Sequence, residues 1–234
     1  MWQYLRQHPG IYMPPAFEDK EPSFFCDTYG VKAWDRYLSL FLDAADGQLI
    51  GEASGPYLTS PEAPARIQRA IADPRFIIML RNPADRAYSL WKWMREHGYE
   101  QIRSFEEALA AEDWRSQSGA FRQNHGQYLP NFLYFHTGLY SEQLPRFIST
   151  FGRTRVHTIV FEEFRLDPLV AVQEAYRFLR VDPTFRPNIR VHNATTAAHG
   201  QMNPTLRESL LQRYASSIKE LEYLLARGLR THWV

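Results

Sequence analysis

The run Phe76-Ile77-Ile78-Met79-Leu80 constrains the fold more than any other stretch of the chain. A short, wholly apolar run bounded by helix and turn signals predicts a strand buried on both faces. Arg81-Asn82-Pro83 follows at once. Asn82 as N-cap and Pro83 at the first helical position predict a helix over Pro83 to His97. Its apolar side runs Ala84, Ala87, Tyr88, Trp91 and Met94.

The same alternation recurs along the chain. Strands are predicted at Ile11 to Met13, at Gln48 to Glu52 after the Asp46-Gly47 turn, and at Arg155 to Phe161. Helices are predicted at Trp2 to His8, Val31 to Ala44 and Pro61 to Ala72, and after Asp167-Pro168 and Asn203-Pro204. Strands alternating with helices predict an α/β fold whose open, mostly parallel sheet is covered on both faces. With 234 residues and no repeat or linker-like stretch, 1–234 reads as a single domain.

Composition narrows the classes of function. A net charge of +1 lacks the basic excess of a general nucleic-acid binder. The one cysteine, Cys26, excludes an intrachain disulfide and reads as a small buried hydrophobe. No apolar run approaches the roughly 18 residues of a membrane span. The expectation is a cytoplasmic protein with no membrane segment. The eight histidines are scattered, and no helical pair with a carboxylate suggests a metal site.

In open parallel sheets, ligands bind beyond the carboxyl ends of strands. Two places qualify. At the first, Arg81 stands at a strand end facing a helix N-terminus, where a forked guanidinium and unspent N–H groups suit a phosphate. Ser89, two helical turns on, adds a hydroxyl, and Arg86 is a further nearby cation. On residue chemistry alone, Arg81 serves equally well in a surface salt bridge. At the second place, Gly51-Glu52-Ala53-Ser54 puts a glutamate where it can act as a general base, or sit as an ordinary turn residue.

The wording of these segments adds a resemblance. Leu80-Arg81-Asn82-Pro83-Ala84-Asp85-Arg86-Ala87-Tyr88-Ser89 resembles the 3′-phosphate motif of sulfotransferases that use 3′-phosphoadenosine-5′-phosphosulfate (PAPS), especially their carbohydrate-type and bacterial branch. Gly51-Glu52-Ala53-Ser54-Gly55-Pro56-Tyr57-Leu58 resembles that family's Gly-Glu-Lys-Ser/Thr-Pro-x-Tyr segment, with Ala53 where a lysine is common. Gly138 to Leu144, Val160 to Pro168 and the closing Leu225 to Trp233 are similar to further segments of it. Tyr140 is a substrate-side candidate, and Trp93 and Tyr57 are candidates to border an acceptor cleft. His192 and His199 lie in a loop that closes over the donor in the family.

The resemblance implies a P-loop-like three-layer α/β/α sandwich, PAPS as donor, and a hydroxyl or amine of a glycan as acceptor. It implies Arg81 and Ser89 on the donor's 3′-phosphate and Glu52 as catalytic base. It implies no metal. The family's first strand and its Lys-x-Gly-Thr-Thr loop, which grips the 5′-phosphosulfate, have no counterpart here, so the chain is expected to begin just after them. A catalytically silent binder of adenosine 3′,5′-bisphosphate or a sulfated ligand is the alternative. A P-loop kinase is opposed by the absent Walker loop.

Overall fold

The computed structural model describes residues 1–16, 19–124, 126–190 and 200–233. In chain order the elements are α1 (Trp2–Leu5), β1 (Ile11–Tyr12), α2 (Trp34–Ser39), β2 (Leu49–Ile50), α3 (Pro56–Thr59) and α4 (Ala63–Ala70). Next come β3 (Phe76–Leu80), α5 (Pro83–Glu96), α6 (Phe105–Ala110), α7 (Glu112–Gln117), α8 (Gly119–Asn124) and α9 (Tyr140–Phe151). Last come β4 (Val156–Val160), α10 (Phe161–Leu166), α11 (Pro168–Leu179), α12 (Pro204–Leu225) and α13 (Arg230–Trp233).

The fold is α/β, and all four predicted strands form. They bond two by two: β1 pairs with β2 in parallel, Ile11 opposite Leu49 and Tyr12 opposite Ile50, and β3 pairs with β4. The Asn82-Pro83, Asp167-Pro168 and Asn203-Pro204 signals each open a helix. In all three the cap side chain accepts a backbone N–H of the first turn. The helix predicted over Val31 to Ala44 is shorter, because beyond Ser39 the chain tightens into i→i+3 turns, Leu40 N–H to Tyr37 and Phe41 N–H to Leu38. Short α6 carries a signal of its own in Ser104, whose hydroxyl accepts the Glu107 N–H.

The contacts group the chain into two compact units. The first comprises Met1–Met79 and Arg146–Ala194. Its main core gathers Trp2, Tyr4, Leu5, Ile11, Ile159, Val172 and Tyr176. Tyr176 donates its hydroxyl to the Tyr4 carbonyl at 3.1 Å, which ties α11 to α1. A second cluster holds Phe25, Tyr37, Leu40, Ala63 and Ile67. Cys26 is fully buried, and burial pushes its thiol up to about 11. It is therefore a packing residue with little thiolate character.

The second unit comprises Leu80–Pro145 and Thr195–Val234. Tyr214 on α12 is fully buried and donates to the Phe135 carbonyl at 2.7 Å. Its ring leaves no room for a side chain at residue 138, where a Cβ would stand 2.6 Å from the hydroxyl, so Gly138 lets the backbone pass. Glu100 and Arg115 form a buried ion pair at 2.8 Å, and the Tyr134 hydroxyl donates to Glu100 at 2.7 Å. The Ile102 N–H also donates to Glu100, and Arg115 donates to the Phe132 carbonyl, which offsets part of the cost of burying the two charges.

Candidate active site

In the second unit, the corner between β3 and α5 opens on a cleft of about 380 Å³. Arg81, Asp85, Tyr88, Ser89 and Lys92 line it from the corner and α5, and Gly200 to Met202, Pro204 and Arg207 line it from the α12 side. Arg81 and Ser89, eight residues apart, therefore share one cavity. Two further cations join them. Lys92 follows Ser89 by three positions on the same helix face. Arg207 grips Asp85 with both forks, Nε to Oδ1 at 2.8 Å and Nη2 to Oδ2 at 3.0 Å. Three cations against one paired carboxylate make a cleft that attracts anions.

The corner is held from behind. Asn82 is fully buried, and its Oδ1 accepts the Ala84 and Asp85 N–H groups at 3.0 and 3.1 Å. Its amide donates to the Trp233 carbonyl at 2.6 Å. The Arg86 N–H is also spent, on the Asn82 carbonyl. This corrects the expectation of unspent N–H groups at the start of α5: the cap consumes them, and only the helix potential remains for a ligand. Arg86 is corrected as well. Its guanidinium turns away from the cleft and donates to the Tyr134 carbonyl at 2.6 Å. Tyr140, expected on the substrate side, is buried, and its hydroxyl donates to the Arg81 carbonyl at 3.1 Å. It supports the backbone from which Arg81 projects.

Glu52 lies in the first unit, two residues beyond β2. Pro56 starts α3, and that turn carries Tyr57 back onto the carboxylate. Glu52 Oε1 accepts the Tyr57 hydroxyl at 2.7 Å and the Tyr37 hydroxyl at 2.9 Å, and Oε2 accepts the Ser54 hydroxyl. Ser54 is aimed in turn by the Ser23 N–H at 2.9 Å. A carboxylate has about four acceptor positions. Three are filled, which leaves roughly one for an incoming proton. Burial pushes the Glu52 carboxyl above the usual carboxylate range, against the downward pull of the Ser54, Tyr57 and Tyr37 hydroxyls. Burial and the adjoining carboxylate raise both tyrosines far enough that they remain donors. A buried carboxylate with its affinity for a proton raised and an acceptor position left open suits a general base.

Sequence reasoning paired Arg81 with Ser89 but missed Lys92, Arg207 and the hydroxyl cage. Lys92 was findable from its spacing. Arg207 lies 122 positions from Asp85 and carries no local signal. His192, His199 and His125 lie outside the described residues. Among the described residues, no cluster of three or more His, Cys, Asp or Glu gathers as a metal site requires. No helix among them is long and apolar enough to cross a membrane.

Comparison with known proteins bears on this geometry. The family model for the sulfotransferase domain matches residues 61–233. Glu52 precedes that span. The chain is 25% identical over 193 residues to mouse bifunctional heparan sulfate N-deacetylase/N-sulfotransferase 4, covering 79% of this chain and 21% of that protein. It is 29% identical over 179 residues to human heparan sulfate glucosamine 3-O-sulfotransferase 6, covering 76% of this chain and 47% of that protein. It thus spans about a fifth and about half of these two relatives. The crystal structure of a sulfotransferase from Alicyclobacillus acidocaldarius superposes with a TM-score of 0.83 at 33% identity, over 98% of this chain and 91% of that one. A match over most of the length in both sequence and backbone places this chain in the sulfotransferase family.

Proposed function

We propose that the protein transfers a sulfuryl group from PAPS to a hydroxyl or amine of a carbohydrate. The cleft at the β3–α5 corner carries this reading, because it combines a strand-end arginine, a helix hydroxyl and two further cations. In this reading Arg81 and Ser89 hold the donor's 3′-phosphate. Lys92 and Arg207 add positive potential, and Asp85 keeps Arg207 oriented. The Alicyclobacillus structure supports the reaction class. The heparan sulfate relatives support a glycan acceptor.

Glu52 is the proposed base. The acceptor's O–H or N–H proton moves to a Glu52 oxygen as the acceptor atom bonds to sulfur. The bond from sulfur to the donor's 5′-phosphate oxygen breaks, and its electron pair leaves with adenosine 3′,5′-bisphosphate. Most of the acceleration comes from positioning and charge stabilisation, as in phosphoryl transfer. Tyr37, Tyr57 and Ser54 hold the carboxylate in one orientation, which favours a single line of proton transfer.

Calorimetric titration tests the nucleotide half of the proposal. Adenosine 3′,5′-bisphosphate is expected to bind at least about tenfold more tightly than adenosine 5′-monophosphate, the margin of one charge-assisted contact set. Equal affinities would remove the assigned 3′-phosphate site. The pH dependence tests the base. Tyr57→Phe removes a hydrogen bond that pulls the Glu52 carboxyl down, so burial dominates further and the carboxyl rises. The acidic limb of the kcat/KM profile is expected to move to higher pH. A limb that stays in place or moves to lower pH would exclude Glu52 as the titrating base.

A further inference from the structure

Asp85 stands in the first turn of α5, four residues before Ser89. Residues at that spacing share one helix face, with side chains about 6 Å apart. The positive end of a helix favours an acidic residue in its first turn. Here the placement sets a carboxylate inside the cleft that Arg81, Ser89 and Lys92 line for an anion. A cavity of about 380 Å³ is roughly as wide as the ~8 Å over which physiological salt screens a charge. A phosphate held by Arg81 and Ser89 therefore lies within reach of the Asp85 charge, and like charges repel.

The carboxylate is fixed by a closed ring of hydrogen bonds. Arg207 Nε donates to Asp85 Oδ1 at 2.8 Å, and Nη2 to Oδ2 at 3.0 Å. Nη2 also reaches the Trp233 carbonyl at 3.5 Å, and that carbonyl accepts the Asn82 amide at 2.6 Å. Asn82 Oδ1 closes the ring by accepting the Asp85 N–H at 3.1 Å. The Asp85 and Arg207 side chains stay about one-third exposed, so the pair sits in the cleft wall and not in the core. Asp85 acts on an anion twice. It repels the phosphate directly, and it holds a guanidinium that would otherwise turn toward the phosphate.

The donor and the bisphosphate product carry the same 3′-phosphate. Binding energy from a group that the reaction leaves unchanged holds donor, transition state and product alike. It does not speed the chemical step, and it delays departure of the product. We infer that Asp85 limits the grip on the 3′-phosphate, so that adenosine 3′,5′-bisphosphate leaves after transfer. The inference rests on the nucleotide reading above. Asp85 in this role governs affinity and takes no part in the bond changes.

Asp85→Asn tests it, because asparagine keeps an oxygen for Arg207 and removes the charge. Calorimetry is expected to show the bisphosphate bound about fivefold more tightly than by the unmodified protein, the scale of one partly exposed charge pair. Stopped-flow displacement should place that gain in slower dissociation. Adenosine 5′-monophosphate lacks the 3′-phosphate and should change by less than about twofold. A purely structural pair predicts the opposite sign, since a lost bond between the starts of α5 and α12 would loosen the cleft and weaken binding. A second variant separates the two further. Arg207→Gln leaves the Asp85 carboxylate uncompensated and should weaken the bisphosphate about tenfold. Adding Asp85→Asn to it should restore affinity to within about threefold of the unmodified protein. The inference is overturned by a bisphosphate affinity that Asp85→Asn leaves unchanged or lowers, by an equal gain for the monophosphate, or by a double variant no better than Arg207→Gln alone. If the unmodified protein still prefers the bisphosphate to the monophosphate, only the role of Asp85 falls. If it shows no preference, the assigned 3′-phosphate site falls with it.

Discussion

Glu52→Gln is expected to lower turnover by about 10²–10⁴-fold while leaving the affinity for adenosine 3′,5′-bisphosphate within about twofold. The substitution preserves shape and keeps an oxygen to accept the Tyr37 and Tyr57 hydroxyls, but it removes the basicity. A loss of turnover without a loss of nucleotide binding therefore isolates proton removal. Turnover near that of the unmodified protein would show that the acceptor's proton goes elsewhere. Stability supplies an independent signature. Burial raises the Glu52 carboxyl in the folded state, so the fold holds that proton more tightly than the unfolded chain does. The contribution is fully present below the unfolded carboxylate value and is lost as pH rises through the folded one. Relative to the unmodified protein, Glu52→Gln should therefore melt at a higher temperature near neutral pH, and the difference should close on acidification.

Arg81→Ala is expected to weaken adenosine 3′,5′-bisphosphate by about 2–4 kcal/mol, or roughly 30- to 700-fold. A guanidinium meets a phosphate with two charge-assisted donors in a fixed fork, and alanine supplies none. Arg81→Lys should recover only part of the loss, because it restores charge without the fork. Ser89→Ala removes one hydroxyl and should cost about 1 kcal/mol, roughly fivefold. The same changes should leave adenosine 5′-monophosphate nearly unaffected, since it has no 3′-phosphate to lose. Arg81→Ala binding the bisphosphate as the unmodified protein does would end the assignment. Tyr140 and Asn82 brace this corner through the Arg81 and Trp233 carbonyls. They are positioning residues, so their substitution should weaken binding without abolishing it.

Much of this was legible locally. The apolar run at Phe76 to Leu80 could only be satisfied as a buried strand, and Asn82-Pro83 could only start a helix there, because proline lacks the N–H that a later helical position would need. Together these place Arg81 at a strand end and Ser89 two turns away, and the cleft includes both. The cost of the same N-cap was not legible. An asparagine that starts a helix does so by consuming its first N–H groups, and those were the groups expected to meet an anion.

Backbone conformation depends on neighbours in sequence, so strand positions, capped helix starts and the spacing of Arg81, Ser89 and Lys92 were determined by the chain read as a string. Partners far apart in sequence were decided only by packing. Asp85 meets Arg207 across 122 positions, and Arg86 is drawn to the Tyr134 carbonyl across 48. Glu52 gains the Tyr37 hydroxyl across 15. Charge and hydrogen-bonding capacity belong to the residue, but which groups compete for that capacity is settled when the chain folds. For that reason the tertiary structure chose which arginines face the cleft and how firmly the carboxylate is held.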